Sequence, residues 1–231
     1  TVVTIAGVGS SLYHPVGSVA ISRIAPNNPS LVMALYFTSG TLGMTLSPVM
    51  TSIVKNRFGI RGILLLGIPG VIAGLTFYFL KNSLSDIKPV EQARSRSLAI
   101  STLNIKHLAL LVIVVGFRTW ALNTFTLYIP VFYVMRGISE DTAAVILSLF
   151  LLCQSLGAVT GGAVSDKIGI KTTLIISSVI GTVCLSMFFL TSGITSVVML
   201  LLAAALIQSA FPGSVVLAQK MFPENPGIAT G

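Results

Sequence analysis

Charge is what this chain lacks. Only 9% of its 231 residues are Asp, Glu, Lys or Arg, where a water-soluble domain carries about 25%. A soluble globular fold is thereby excluded, and a mean hydropathy of +0.95 with 54% hydrophobic residues points to a membrane protein. Acid is scarcer still. The six acidic residues, Asp86, Glu91, Glu140, Asp141, Asp166 and Glu224, all fall in polar gaps or at the edges of apolar runs. No carboxylate lies inside a run. Two cysteines, Cys153 and Cys184, sit singly within apolar stretches, which excludes a disulfide framework or a metal-ligand spacing and leaves two small hydrophobes. No cofactor is called for. Neither a nucleotide-binding loop nor a nucleophile, base and acid constellation is present, so an enzyme and an ATP-driven pump are both disfavoured. Thr1 opens straight into an apolar run without a basic leader, and the last residues lead towards another helix. The chain reads as an internal piece of something longer.

A helix needs about 20 apolar residues to cross a bilayer. Seven such spans are predicted, over about 1–23, 31–54, 62–80, 108–135, 142–164, 172–192 and 195–219. The net charge of +8 would suggest nucleic acid on a soluble protein. Here the basic residues lie in the short gaps, so nucleic acid is not expected and the lipid bilayer is the partner. One alternating set of gaps holds Arg23, Lys81, Lys88, Arg94, Arg96, Lys106, Lys167, Lys171 and Lys220; the other holds Lys55, Arg57, Arg61 and Arg136. The richer set is assigned to the cytoplasm of a multi-pass cell-membrane protein. The long polar stretch 81–107 is then a cytoplasmic linker, between residues 1–80 as the end of one helical bundle and residues 108–231 as the start of another.

The sequence repeats itself. "HPVGSVAISRIAPNNP" (14–29) and "FPGSVVLAQKMFPENP" (211–226) match at Pro15 and Pro212, Arg23 and Lys220, Pro26 and Pro223, Asn28 and Asn225, and Pro29 and Pro226, at a constant offset. Both copies cross in the same direction, with six spans from one to the next. A parallel repeat of six helices implies a protein of about twelve in two similar halves, with a site at the seam.

Two residues stand out at depth. His14 lies nine positions inside Arg23, about 14 Å at 1.5 Å per residue, near the middle of a core about 30 Å thick. Its imidazole suits a proton relay or an anion partner, and a neutral histidine bonded to a neighbouring helix is the alternative. Arg118 lies twelve residues beyond Lys106, about 18 Å along a helix. A guanidinium there costs several kcal/mol unless it meets water, a partner or a ligand. It marks a solute path or pairs with a helix outside this stretch. Its planar fork fits a phosphonate, phosphate or carboxylate, so a small anionic substrate is expected. Asn123 is a further polar candidate on the same span, and Gln154 a bridge between helices. Pro15, Pro48, Pro130 and Pro212 fall within spans and are expected to kink them. Asp166, at a turn before a new span, can meet orphan N–H groups and the positive end of a helix dipole.

"GGAVSDKIGIKTT" (161–173) resembles the cytoplasmic loop motif of the major facilitator superfamily, in its second-half copy: Gly162, Asp166, Gly169 and Lys171 fit, with Lys167 and Ile170 where Arg is usual. "GTLGMTLSPVM" (40–50) resembles the Gly- and Pro-rich helix of that superfamily's exporters. "GVGSSLYHPVGS" (7–18) and "GFRTWALNTFTLYIPVFYV" (116–134) look like spans of fosmidomycin-resistance-type transporters. The resemblance implies an all-α fold, a helical bundle of two pseudo-symmetric six-helix halves, of which this chain would hold spans four to ten. It also implies a chamber shared by His14, Arg118 and Gln208, a gate at Gly162, Asp166, Lys167, Gly169 and Lys171, and alternating access with proton-coupled efflux. Uptake or exchange of an organic anion and a non-transporting receptor are the rivals. A monomer is expected.

Overall fold

A computed structural model describes residues 27–84 and 102–222, together with His14, Gly17–Val19 and Ile21; the side chains of residues 77, 80–84 and 102–105 are outside that description. Every regular element among these residues is helical. In order they are α1 (Pro29–Phe58), a 3₁₀ segment (Ile60–Gly67), α2 (Ile68–Leu84), α3 (Thr102–Met135), α4 (Glu140–Ile168), α5 (Ile170–Leu190), α6 (Gly193–Ser209) and α7 (Phe211–Met221).

Local chemistry fixes the ends. Ser139 caps α4, its Oγ accepting from the Thr142 N–H, with Glu140 and Asp141 in the first turn where the helix dipole favours negative charge. Gly169, at φ 93°, ends α4 and lets α5 start one residue later. Four stretches are long and apolar enough to span a bilayer: Lys106–Met135, Glu140–Ile168, Ile170–Leu190 and Gly193–Met221. The predicted span 1–23 falls largely outside the described residues.

Two expectations change, and a third run is matched but interrupted. The run 62–80 is a 3₁₀ segment followed by α2, because Pro69 has no N–H for the helix ladder to continue through. The run 195–219 falls within the membrane-length stretch Gly193–Met221, as expected, with an interruption at Ala210, where Pro212 cannot donate to the Gln208 carbonyl. Residues 81–84 and 102–107, assigned to the linker, extend α2 and α3 instead. By contrast, α1 and α3 run uninterrupted through Pro48 and Pro130.

The core lies among α3, α4, α5 and α6, where Leu122, Ile129, Phe150, Phe188, Leu200 and Ala204 are buried together. Large apolar side chains remain outside, Trp120 at 68% exposure among them. Lipid tolerates such a surface and water does not. Gly157 and Gly161 let α4 approach α6 closely, since a Cβ there would sit 2.1 Å from the Ala205 carbonyl oxygen and 2.2 Å from that of Ser209.

Candidate functional site

Arg118 projects from α3 between α5 and α6. Nη1 donates to the Leu174 carbonyl at 3.4 Å and to Ser178 Oγ; Nη2 donates to Ser177 Oγ at 3.3 Å and to the Ile207 carbonyl. The two serines are set up to accept. Each spends its hydroxyl proton on the Leu174 carbonyl, at 3.3 Å from Ser177 and 2.6 Å from Ser178, which turns lone pairs towards the guanidinium. Ile207 is in the last turn of α6, where carbonyls have no partner within their own helix. All four acceptors are neutral. No carboxylate reaches Arg118 among the described residues.

Arg118 and Gln208 line one recess, with Thr119, Leu122, Ile207, Phe211 and Ser214. Its cavity volume is about 10 Å³, room for about one water molecule and far below the roughly 300–1,000 Å³ of a drug-sized pocket. His14 is exposed and stands outside this recess, two rings away: its imidazole stacks on Phe37 at 6.0 Å between centroids, and Phe37 meets Phe211 edge-on at 5.1 Å. Phe37 and Phe211 thus stand between His14 and the recess in this conformation, and His14 does not line it with Arg118 and Gln208. Asn123 is exposed and five positions from Arg118, about 140° around the helix, so it does not join the group. Gln154 lies on α4 away from the recess, its buried Nε2 without a hydrogen-bond partner among the described residues.

Asp166 makes a clamp. Its Oδ1 accepts from the Ser30 N–H at 3.1 Å and its Oδ2 from the Leu31 N–H at 3.0 Å. The start of α1 needs this partner: Asn28 makes no side-chain cap, Pro29 has no N–H, and no acid occupies the first turn. A carboxylate brought by α4 supplies the acceptor and the charge together. The sequence suggested a cap at this turn, where a new span begins; the helix capped is α1, more than a hundred residues upstream. Gly162 lets it approach, since a Cβ there would be 2.7 Å from the Ser30 carbonyl oxygen. Lys167 and Lys171 are exposed, and Gly169 supplies the positive φ between α4 and α5. Pro212 is buried at the start of α7, and Pro15 lies outside the described residues.

The same helix pair is fastened twice more. Midway, Thr41 Oγ1 and Ser155 Oγ are 2.9 Å apart. At the far end Asp141 accepts from Ser52 Oγ and, at 3.0 Å, from Asn56 Nδ2, while Lys55 pairs with Glu140. Lys55 is held above the usual lysine pKa of 10.5, chiefly by its hydrogen bond to Glu140 and then by that carboxylate's charge. Reading the sequence did not find these contacts, nor Ser177, Ser178 or Phe37. Lys55 and Glu140 are the one pair whose opposite charges at span ends carried a signal.

Membrane-length helices, a neutral-solvated guanidinium within one of them, and polar clasps between helices define a multi-pass membrane protein with an internal polar site. The chain belongs to the major facilitator superfamily, whose sequence model matches residues 1–231. It is 22% identical over 232 residues to the fosmidomycin resistance protein of Escherichia coli strain K12, covering 97% of this chain and 57% of that protein. It is 23% identical over 234 residues to the uncharacterized MFS-type transporter YfnC of Bacillus subtilis strain 168, again over 97% and 57%. The chain therefore spans a little over half the length of these relatives. No solved structure matches it significantly. The family is one of transporters and not of enzymes.

Proposed function

We propose that the whole protein is a secondary active transporter that exports a small anionic or amphiphilic compound by alternating access, in exchange for protons. The observation that carries this reading is the charge of Arg118, met by four neutral acceptors. Neutral dipoles solvate a buried guanidinium but leave its charge uncancelled. A solute bearing phosphonate, phosphate or carboxylate completes the pair, and Gln208 in the same recess offers it a further polar contact. The relative named for fosmidomycin resistance makes fosmidomycin the first compound to try.

In this reading residues 1–80 close one six-helix bundle and residues 108–231 open the other. The stretch 81–107 joins them on the cytoplasmic side of the cell membrane, and the protein works as a monomer. Asp166 fastens the cytoplasmic end of the seam. His14, ring-stacked towards the recess through Phe37 and Phe211, is the proton carrier among these residues.

The test is transport by the full-length protein in vesicles with an imposed pH gradient. Fosmidomycin, a sugar phosphate and a dicarboxylate are supplied in turn. Proton-coupled efflux requires opposed proton movement and loss of flux in Arg118→Ala. Flux indifferent to the gradient supports anion exchange instead. Normal folding of Arg118→Ala with every flux unchanged refutes a solute path at this residue.

A further inference from the structure

We propose that Ser177, Ser178 and the Ile207 carbonyl form a parking site that holds the Arg118 guanidinium when no solute is bound, and that an anionic solute takes Arg118 from it and so loosens the α6–α7 break. The inference rests on the reading that Arg118 meets an anion; it adds where the guanidinium waits and what its departure does.

The parking site is built. Ser177 is buried, and both serine hydroxyls are oriented by the Leu174 carbonyl so that only lone pairs face the cation. The Ile207 carbonyl is available because α6 ends two residues later, leaving it without a donor in its own helix. Arg118 therefore satisfies an acceptor at the end of α6, and ties α3 to α5 and to the α6 side of the bend. All of these partners are neutral, so an anion with two oxygens outcompetes them for the same fork of N–H groups. When it does, the Ile207 carbonyl loses its donor. An unpaired carbonyl in a low-dielectric setting is costly, and the bend must change or admit water to satisfy it. Solute binding is coupled in this way to the shape of a span.

Ser177 and Ser178 are positioning residues, and they leave a signature opposite to that of a solute ligand. Removing them weakens the competitor, so anions bind more tightly. The experiment uses the purified full-length protein, and reads the dissociation constants of methylphosphonate, inorganic phosphate and acetate from their protection against thermal unfolding. In Ser177→Ala/Ser178→Ala, and in the milder Ser178→Ala alone, the constant for the best-bound anion should fall about tenfold and about threefold respectively. A tenfold change corresponds to about 1.4 kcal/mol, near the low end for a hydrogen bond to a charged group. Ser186→Ala, an exposed hydroxyl bonded to its own helix at Thr182, should leave the constant unchanged. Unchanged or weaker anion binding in both serine variants, with Arg118→Ala abolishing binding, overturns the parking site while the role of Arg118 stands. Anion protection that survives Arg118→Ala, or no protection of the wild type by any of the three anions, overturns that role and the parking site with it.

Discussion

Replacing Asp166 should release one end of the α1–α4 seam by a calculable amount. Its carboxylate accepts two backbone hydrogen bonds, at 3.1 and 3.0 Å, from an α1 start with no cap of its own. Capping residues contribute about 0.5–2 kcal/mol, and a charge at the positive end of a helix adds about 0.3–1 kcal/mol, or more where partly buried. Asp166→Ala should therefore cost the clamped state about 2 kcal/mol, a shift of about 30-fold. Asp166→Asn keeps an acceptor without the charge and should cost about 1 kcal/mol. Ser30 is the reporter: it is fully buried beneath the clamp, at 0% exposure. In a protein whose Cys153 and Cys184 are replaced by alanine, the thiol of Ser30→Cys should react with a maleimide about 30-fold faster when Asp166 is alanine, and about fivefold faster when it is asparagine. Equal labelling rates in all three, with melting temperatures unchanged, would refute the clamp.

At the opposite end, Lys55→Glu or Glu140→Lys alone should increase labelling of a cysteine at position 52, and the double exchange should restore protection; failure of the double exchange to restore it argues against the ion pair. The pair should hold from about pH 6 to 9, because a lysine pKa raised in the folded state contributes below its ordinary value of 10.5 and is lost only as pH rises through the raised one. High salt should weaken it, as for any exposed pair. Gly161→Ala drives a Cβ to within 2.2 Å of the Ser209 carbonyl oxygen and should destabilise by about 1–3 kcal/mol; Gly40→Ala, with nothing within 4 Å, should leave the melting temperature unchanged or raised. His14→Asn should remove proton movement while solute exchange survives; undiminished proton flux would clear His14 of the role.

The ends of α4 were legible because their signals are local. Ser139 with Glu140 and Asp141 marks a start, and Gly169 marks a stop, within two to four residues of the predicted span. Pro212 was legible as a disturbance, but a proline in an apolar run does not say whether the helix bends or ends. Neighbouring packing decides that, and here the helix ends at Ala210. Arg118 was found from its cost in lipid alone. Its partners Ser177 and Ser178 were not, because small hydroxyls in an apolar helix look like packing until another helix presents a donor. Asp166 shows the same division: its type and turn position predicted a cap, and the identity of the capped helix depended on a contact far away in sequence.

The three fastenings along α1 and α4 constrain how the proposed halves can move. The Thr41–Ser155 contact lies eleven residues from both Ser30 and Ser52 on α1, a lever of about 17 Å on either side at 1.5 Å per residue. Tilting the two helices about that midpoint by about 10° moves each end by about 3 Å, enough to break hydrogen bonds at one end while pressing the other together. The midpoint contact barely moves. A seam pinned at its centre and latched at both ends thus favours two tilted states over sliding, and the described conformation, with both latches formed, lies between them. The Arg118 recess is too small for a drug-sized solute in this conformation, so on the proposed transport reading entry requires one latch to open first. On that reading the latches set the barrier to exchange, and in the vesicle assay Asp166→Ala or Lys55→Glu should each speed solute access from its own side more than from the other.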